Sequence, residues 1–207
     1  VIGYGVCCGS WQQLADYVLP VVGDKPLLAL SGQTAIADAY NAIFEAFALD
    51  DDLDALVLLH ADLEIIDPAF EDKVMAALED PGVAIVGVCG ATEVKSLDWW
   101  SYATLGHQMT DSYLLDFPGG RSGDADMLEG SLMAFSPWAV RNLRFDVGYG
   151  NFHGYDDIAL TARQHGKRVT VADIDTHHHT TVGYQPGSLK AQQWASAAER
   201  FHQKWEF

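Results

Sequence analysis

The feature that most constrains this chain is the regular alternation of short apolar runs with stretches of helical spacing. Apolar runs occupy Val1 to Cys8, Leu27 to Leu30, Leu56 to Leu59 and Val83 to Val88. After the first run, Ser10 is placed to cap a helix from Trp11 to about Leu19, ended by Pro20. Ile36, Tyr40, Ile43, Phe44 and Phe47 recur at helical spacing within Thr34 to Leu49. Pro68 to Leu78 predicts a further helix, with Pro in its first turn and Asp67 as its cap. Strands and helices alternating through short connections predict a mostly parallel, doubly wound α/β sheet flanked by helices. At 207 residues the chain suits a single domain over residues 1–207 with one large core.

The pattern lapses from Thr92 to Asp126. Gly, Ser, Asp and aromatics dominate there (Trp99, Trp100, Tyr102, Tyr113, Phe117), so the stretch reads as a long functional or mobile loop. Met127 to Phe135 reads as a strand, and a short helix follows Pro137. Asp156 to His165 is helical, closed by Gly166, and Arg168 to Ala172 is a strand. The last stretch, residues 188–207, is a helix whose Leu189, Trp194, Ala197, Phe201 and Trp205 form one stripe. That stripe packs on the sheet or on a partner subunit, which leaves room for a homodimer. Glu199 and Glu206 argue against its lying on a membrane.

Composition excludes several classes. With 49% hydrophobic and 11% aromatic residues the chain is not disordered. No apolar run approaches the roughly 18 residues of a spanning helix. Twelve basic against 29 acidic residues give a net charge of −17, which repels phosphate backbones and makes nucleic acid a poor partner. The same field tolerates divalent cations where carboxylates converge, or simply keeps the protein soluble. Cys7, Cys8 and Cys89 offer no CxxC pair and read as reduced, buried thiols of a cytoplasmic protein. The chain begins at Val1 with no charged leader, which points to trimming or to an excerpt of a longer protein.

In open parallel sheets, ligands sit beyond the carboxyl ends of the strands, here just after Val6, Leu30, Leu59 and Val88. The third of these runs into His60-Ala61-Asp62-Leu63-Glu64. If the chain stays extended, a period of two puts the imidazole and both carboxylates on one side, where they can hold a hard divalent ion. A solvated strand end that caps the next helix explains the same residues. Phe152-His153-Gly154-Tyr155-Asp156-Asp157 opens a helix, and its two acids either complement the helix dipole or present a general base to a cleft. In Asp173-Ile174-Asp175-Thr176-His177-His178-His179, the three consecutive histidines point in different directions, so one or at most two can join a single metal site. There is no HExxH or zinc-finger spacing.

Taken in order, these segments resemble the glycosyltransferase-like family 2 group of GT-A-fold enzymes, in a branch with an HxD and an FHxYD motif. The succession is Ala35-Ile36-Ala37-Asp38-Ala39-Tyr40-Asn41, His60-Ala61-Asp62, Leu128-Glu129-Gly130, Arg144-Phe145-Asp146, Phe152-His153-Gly154-Tyr155-Asp156 and His179-Thr180-Thr181-Val182-Gly183. It spans about Leu27 to Gly183. The resemblance implies a GT-A-like fold and a metal-dependent, inverting glycosyltransferase. Its donor would be a nucleoside diphosphate sugar, most commonly a uridine diphosphate sugar. The cofactor would be manganese or magnesium, and the acceptor a glycan, a protein or a small molecule.

Carried over by residue, the resemblance makes His60 and Asp62 the counterpart of the DxD motif, with Asp62 binding metal and His179 completing its shell. Ser31 and Asn41 would lie near the nucleotide, and Ser31 stands where many relatives have an acid that reads the base. Asp156 falls on the general base, although its adjacency to Asp157 leaves the base open between the two. Glu129 and Gly130 would line the acceptor side. Trp99 and Trp100, in the long middle stretch, either stack on a sugar acceptor or pack the loop onto the sheet. Arg121 and Arg163 are candidate diphosphate partners, Arg163 serving equally well as a surface ion-pair residue. The competing reading is a non-catalytic nucleotide-sugar or glycan-binding relative. A sugar-1-phosphate nucleotidyltransferase is set aside, because Gly9-Ser10-Trp11-Gln12-Gln13 lacks the basic residues its loop needs.

Overall fold

A computed structural model describes residues 1–112, 114–180 and 185–206. Tyr113, the Thr181, Val182 and Gly183 of the last motif, and the terminal Phe207 of the expected helix lie outside the described residues. β1 (Ile2–Cys8) leads into a continuous helical stretch of α1 (Trp11–Gln13), a π turn (Leu14–Val18) and α2 (Leu19–Val22). Ser10 caps α1, its hydroxyl accepting from Gln13 N. Pro20 does not end the helix. The turn before it widens, Leu19 N donating to Leu14 O, and Pro20 falls in the first turn of α2, where its missing N–H leaves no gap.

β2 (Leu27–Ser31), α3 (Ile36–Phe47), β3 (Ala55–His60), β4 (Leu63–Ile65), α4 (Phe70–Leu78) and β5 (Val83–Gly87) follow. Asp67 is not the cap of α4, a position held by Ala69. Its carboxylate accepts from Ala69 N at 2.9 Å and pairs with Lys73.

The stretch from Thr92 to Asp126 is largely β-structure rather than loop. After β6 (Cys89–Thr92) and a 3₁₀ turn (Trp99–Ser101) come β7 (Ala103–Thr110), β8 (Leu114–Asp116) and β9 (Gly123–Ala125). β7 is buried over most of its length, and Thr104, His107, Gln108 and Thr110 are among its buried residues, so hydropathy alternation does not reveal it. The expected strand over Met127 to Phe135 divides into β10 (Met127–Leu128) and β11 (Leu132–Phe135), which join different sheets. α5 (Pro137–Asn142), a 3₁₀ turn (Val147–Tyr149), α6 (Gly154–Gln164), β12 (Arg168–Val171), β13 (Thr176–His178) and α7 (Leu189–Trp205) complete the order.

The first sheet runs β2-β1-β3-β11-β5-β12-β9 and the second β10-β6-β7-β13-β4. β1 is parallel to β2 and β3, and β12 to β5, whereas β11 enters antiparallel between β3 and β5. The sheet is therefore mixed rather than mostly parallel. Pairing Cys7 with His60 and Cys8 with Ser31 brings the carboxyl ends of β1, β2 and β3 level.

On one face Ile43, Phe44, Leu58, Phe135 and Ile158 share a core, and on the other Val18, Val57, Phe70, Val74 and Val86 do. α3 sits so close to β1 that a Cβ on Gly5 would come 2.6 Å from Ile43. Under α7, Ala197, Ala198 and Phe201 pack on Val94, Leu97, Met127 and Tyr149, so the centre of its stripe is covered by the chain itself. Cys7, Cys8 and Cys89 are free thiols, the latter two buried. Among the described residues no helix is long and apolar enough to cross a membrane.

Candidate active site

The carboxyl end of β3, the 129–131 break between β10 and β11, the start of α6 and the start of α7 enclose a cleft of about 970 Å³. His60, Asp62, Trp99, Trp100, Glu129, Gly130 and Asp156, all expected from sequence, line it. His178, Tyr155, His153, Lys190 and Trp194 line it as well.

His60 ends β3, its N–H donating to Ser131 O at 2.9 Å. Its Nε2 is 2.7 Å from the Tyr155 hydroxyl, and its Nδ1 faces His178 Nε2 at 3.4 Å. The same His178 nitrogen lies 3.3 Å from Asp62 Oδ1. Donor atoms of His60, Asp62 and His178 all fall within 4.8 Å of one another. Burial pushes the His60 imidazole below its usual range, against the pull of Glu129, and His178 adds to the lowering. At Asp62 burial acts upward, but the His178 contact and charge, with His60, outweigh it and hold the carboxyl low. At His178 burial acts downward and is outweighed by Asp62, Glu129 and Asp111, so that imidazole is raised. Two facing ring nitrogens beside a carboxylate suit a divalent cation, which can take all three donors at once.

His179 is not part of this group. β13 alternates its side chains, so His178 faces the cleft and His179 the opposite side, where its Nε2 meets Glu64 Oε2 at 2.9 Å. The third donor beside His60 and Asp62 is the neighbouring histidine.

Across the cleft, Asp156 and Asp157 part company because adjacent helical residues point about 100° apart. Asp156 lines the cleft, its Oδ2 3.1 Å from His153 Nδ1. Burial raises its carboxyl above the usual range; the His153 contact opposes this, while Glu129 and Asp157 add to it. Asp157, 1% exposed, turns to α7, where it accepts from Trp205 Nε1 at 2.9 Å and pairs with Lys204 at 2.7 Å. His153 starts α6 in the left-handed region (φ 59°), a conformation uncommon for a non-glycine residue and found here beside the cleft.

Gly130 is demanded by its neighbour. A Cβ there would lie 2.1 Å from the Tyr155 ring, so only glycine lets Tyr155 reach His60. Glu129 is bonded through Oε2 to Ser131 N at 2.8 Å and to the Ser131 hydroxyl. Trp100 is 55% exposed at the rim, while Trp99 packs edge-on to it and to Phe117.

The remaining expected residues stand elsewhere. Ser31 is exposed at the end of β2 and is not among the residues lining the cleft. Asn41 holds the backbone of Phe145, donating to its O at 2.9 Å and accepting from its N at 2.8 Å, so it latches α3 to the loop after α5. Arg121 is paired with Asp116, Asp173 and Asp175, and Arg163 with Asp126 at 2.7 Å. Neither arginine lines the cleft. Of the residues sequence reasoning passed over, Tyr155 and His153 lay inside the FHxYD motif, and His178 inside the histidine run. Lys190 and Trp194 carried no signal beyond their place on an amphipathic helix.

No known protein-family profile matches the chain. Among curated proteins, streptomycin biosynthesis protein StrF of Streptomyces griseus is 30% identical over 213 residues, spanning 99% of this chain and 74% of its own. Among solved structures, A197 from STIV matches with a TM-score of 0.58 at 15% identity, over 87% of this chain and 85% of that one. GalNAc-T7, solved with UDP, GalNAc and Mn2+, matches with a TM-score of 0.60 at 10% identity, over 91% of this chain and 44% of that one. At such identities the two structures show the fold alone, which is that of the GT-A glycosyltransferases. The chain belongs to the family of streptomycin biosynthesis protein StrF.

Proposed function

We propose that the chain is a metal-dependent, inverting glycosyltransferase that moves a sugar from a nucleoside diphosphate sugar to an acceptor hydroxyl. The observation that carries this is one cleft holding both the His60, Asp62 and His178 cluster and the buried, more basic Asp156. A divalent ion held by those three donors supplies charge neutralisation for a diphosphate leaving group.

The chain's own residues do the rest. Asp156 takes the proton of the attacking hydroxyl, and its raised pKa makes it the stronger base for that task. His153 holds the Asp156 carboxylate through Nδ1. Tyr155 holds His60. Glu129 is engaged by Ser131, which leaves Asp156 for proton transfer and favours a single displacement that inverts the anomeric centre. The exposed face of Trp100 offers an apolar stacking surface for a pyranose.

The structural neighbour solved with UDP, GalNAc and Mn2+ supports a uridine diphosphate sugar and manganese as the first pair to try. The relative from streptomycin biosynthesis supports a small-molecule acceptor. Thermal stabilisation by a panel of nucleoside diphosphates, each with and without manganese, tests the reading without a known acceptor. A manganese-dependent rise in melting temperature with one nucleotide supports it. No shift with any nucleotide overturns it in favour of a glycan-binding relative.

A further inference from the structure

The side of β13 that faces away from the cleft carries a second set of ligand-type side chains. His177 and His179 point there together, their rings 3.9 Å apart. Besides its contact with Glu64 Oε2, His179 has Nδ1 3.3 Å from Asp111 Oδ1, and His177 Nε2 is 3.0 Å from that same oxygen. One donor atom from each of Glu64, His177 and His179 can be chosen so that all lie within 4.8 Å of one another. The two imidazoles are about one-fifth exposed, at 21% and 19%. Tyr17, from the π turn, stacks on His179 at 4.0 Å and 11°, which fixes the plane of that ring.

We propose that this cluster is a second divalent-metal site, built for zinc or a similar borderline cation, with Glu64, His177 and His179 as ligands and Asp111 holding the imidazoles in place. Two imidazoles and one carboxylate make a set that zinc accepts, with a fourth position left for water. Tetrahedral bonds of about 2.1 Å need donors about 3.4 Å apart, so the separations here close onto an ion by side-chain adjustment of about an ångström. A carboxylate on the outer nitrogen of a ligating histidine orients the ring and raises its basicity.

The ion would tie β4, β13 and the chain beyond β7 to one another, with the π turn packed over His179. It would thereby fix the strand that carries His178 into the cleft. The inference stands apart from the glycosyl-transfer reading, since it concerns other residues on the other side of the strand.

The test is a zinc titration of the full chain, freed of metal by a chelator and followed by calorimetry. It uses the Asp62→Asn variant, which disables the cleft cluster so that remaining zinc reports the outer one. One equivalent should bind and raise the melting temperature. Adding Glu64→Gln and His177→Asn should abolish that equivalent while the melting temperature in chelator stays within a few degrees. No zinc bound by Asp62→Asn, or unchanged binding in the triple variant, overturns the proposal. Should Asp62→Asn fail to fold, the wild type should bind two equivalents and the Glu64→Gln, His177→Asn double variant one. Equal stoichiometry in those two also overturns it.

Discussion

His178 Nε2 stands 3.3 Å from Asp62 Oδ1, while His179 turns its ring to Glu64 on the other side of the strand. If the cleft cluster holds a cation for a nucleotide, Asp62→Asn and His178→Ala should each weaken manganese-dependent nucleotide binding at least 10-fold, the scale on which even outer-shell changes act. His179→Ala should leave that affinity within about threefold. Titration of a nucleoside diphosphate against each variant in manganese separates the cases. A loss confined to His179→Ala would return the role to the residue named by the motif.

Asp156→Asn should lower transfer by about 10²- to 10⁴-fold, the usual contribution of a general base, while donor binding persists. Its effect on stability should have the opposite sign. Because burial raises this carboxyl, its ionised form costs the fold stability, a cost that sets in as pH rises through the folded value and is absent below the unfolded value near 4. Melting curves should therefore place Asp156→Asn at or above wild type at pH 7, with the difference closing towards pH 4. Asp157→Asn should instead be less stable, by about 2 kcal/mol, because Lys204 loses its charged partner and one amide oxygen must serve Lys204 and Trp205 in place of two carboxylate oxygens.

Much of this arrangement was legible in the sequence, for identifiable reasons. The strands ending at Cys8, Ser31 and His60 announced themselves because both their faces are covered by helices and so read as apolar runs. Asp62 and Asp156 stood out as acids at a strand end and a helix start. β7 did not, since Thr104, His107, Gln108 and Thr110 are polar side chains buried along it, Gln108 Nε2 bonding to Ser131 Oγ at 2.7 Å. The choice between His178 and His179 was closed to sequence because it depends on the register of β13 against β4, where His178 pairs with Leu63. Asn41 misled for a different reason: a motif position near a nucleotide site is also a good place for a latch on Phe145.

Asp67 and Lys73 give a pH signature of the opposite sense. Burial acts upward on Asp67, but Lys73 and the Ala69 amide outweigh it and hold the carboxyl below its usual range. A depressed carboxyl contributes stability above its unfolded value and loses it as pH falls through the folded one. Asp67→Asn should therefore melt below wild type at pH 7, and the gap should narrow below about pH 4. A gap that stays constant down to pH 2 would show that the side chain acts through its turn with Ala69 and not through charge.

Gly130→Ala probes the wall between the two halves of the cleft. The added methyl would meet the Tyr155 ring at 2.1 Å, and Tyr155 is packed in turn against Tyr40 and Phe145, so the ring has little room to retreat. Overpacking of this kind costs about 1–3 kcal/mol, to be read from denaturant midpoints. Its sharper consequence falls on His60, which would lose the 2.7 Å contact with the Tyr155 hydroxyl and with it the orientation of Nδ1 towards His178. Tyr155→Phe removes that contact without the clash. The two variants should then share a reduced manganese affinity, while only Gly130→Ala is destabilised by overpacking. Equal metal binding in wild type and Tyr155→Phe would mean that His60 is held by the strand end alone.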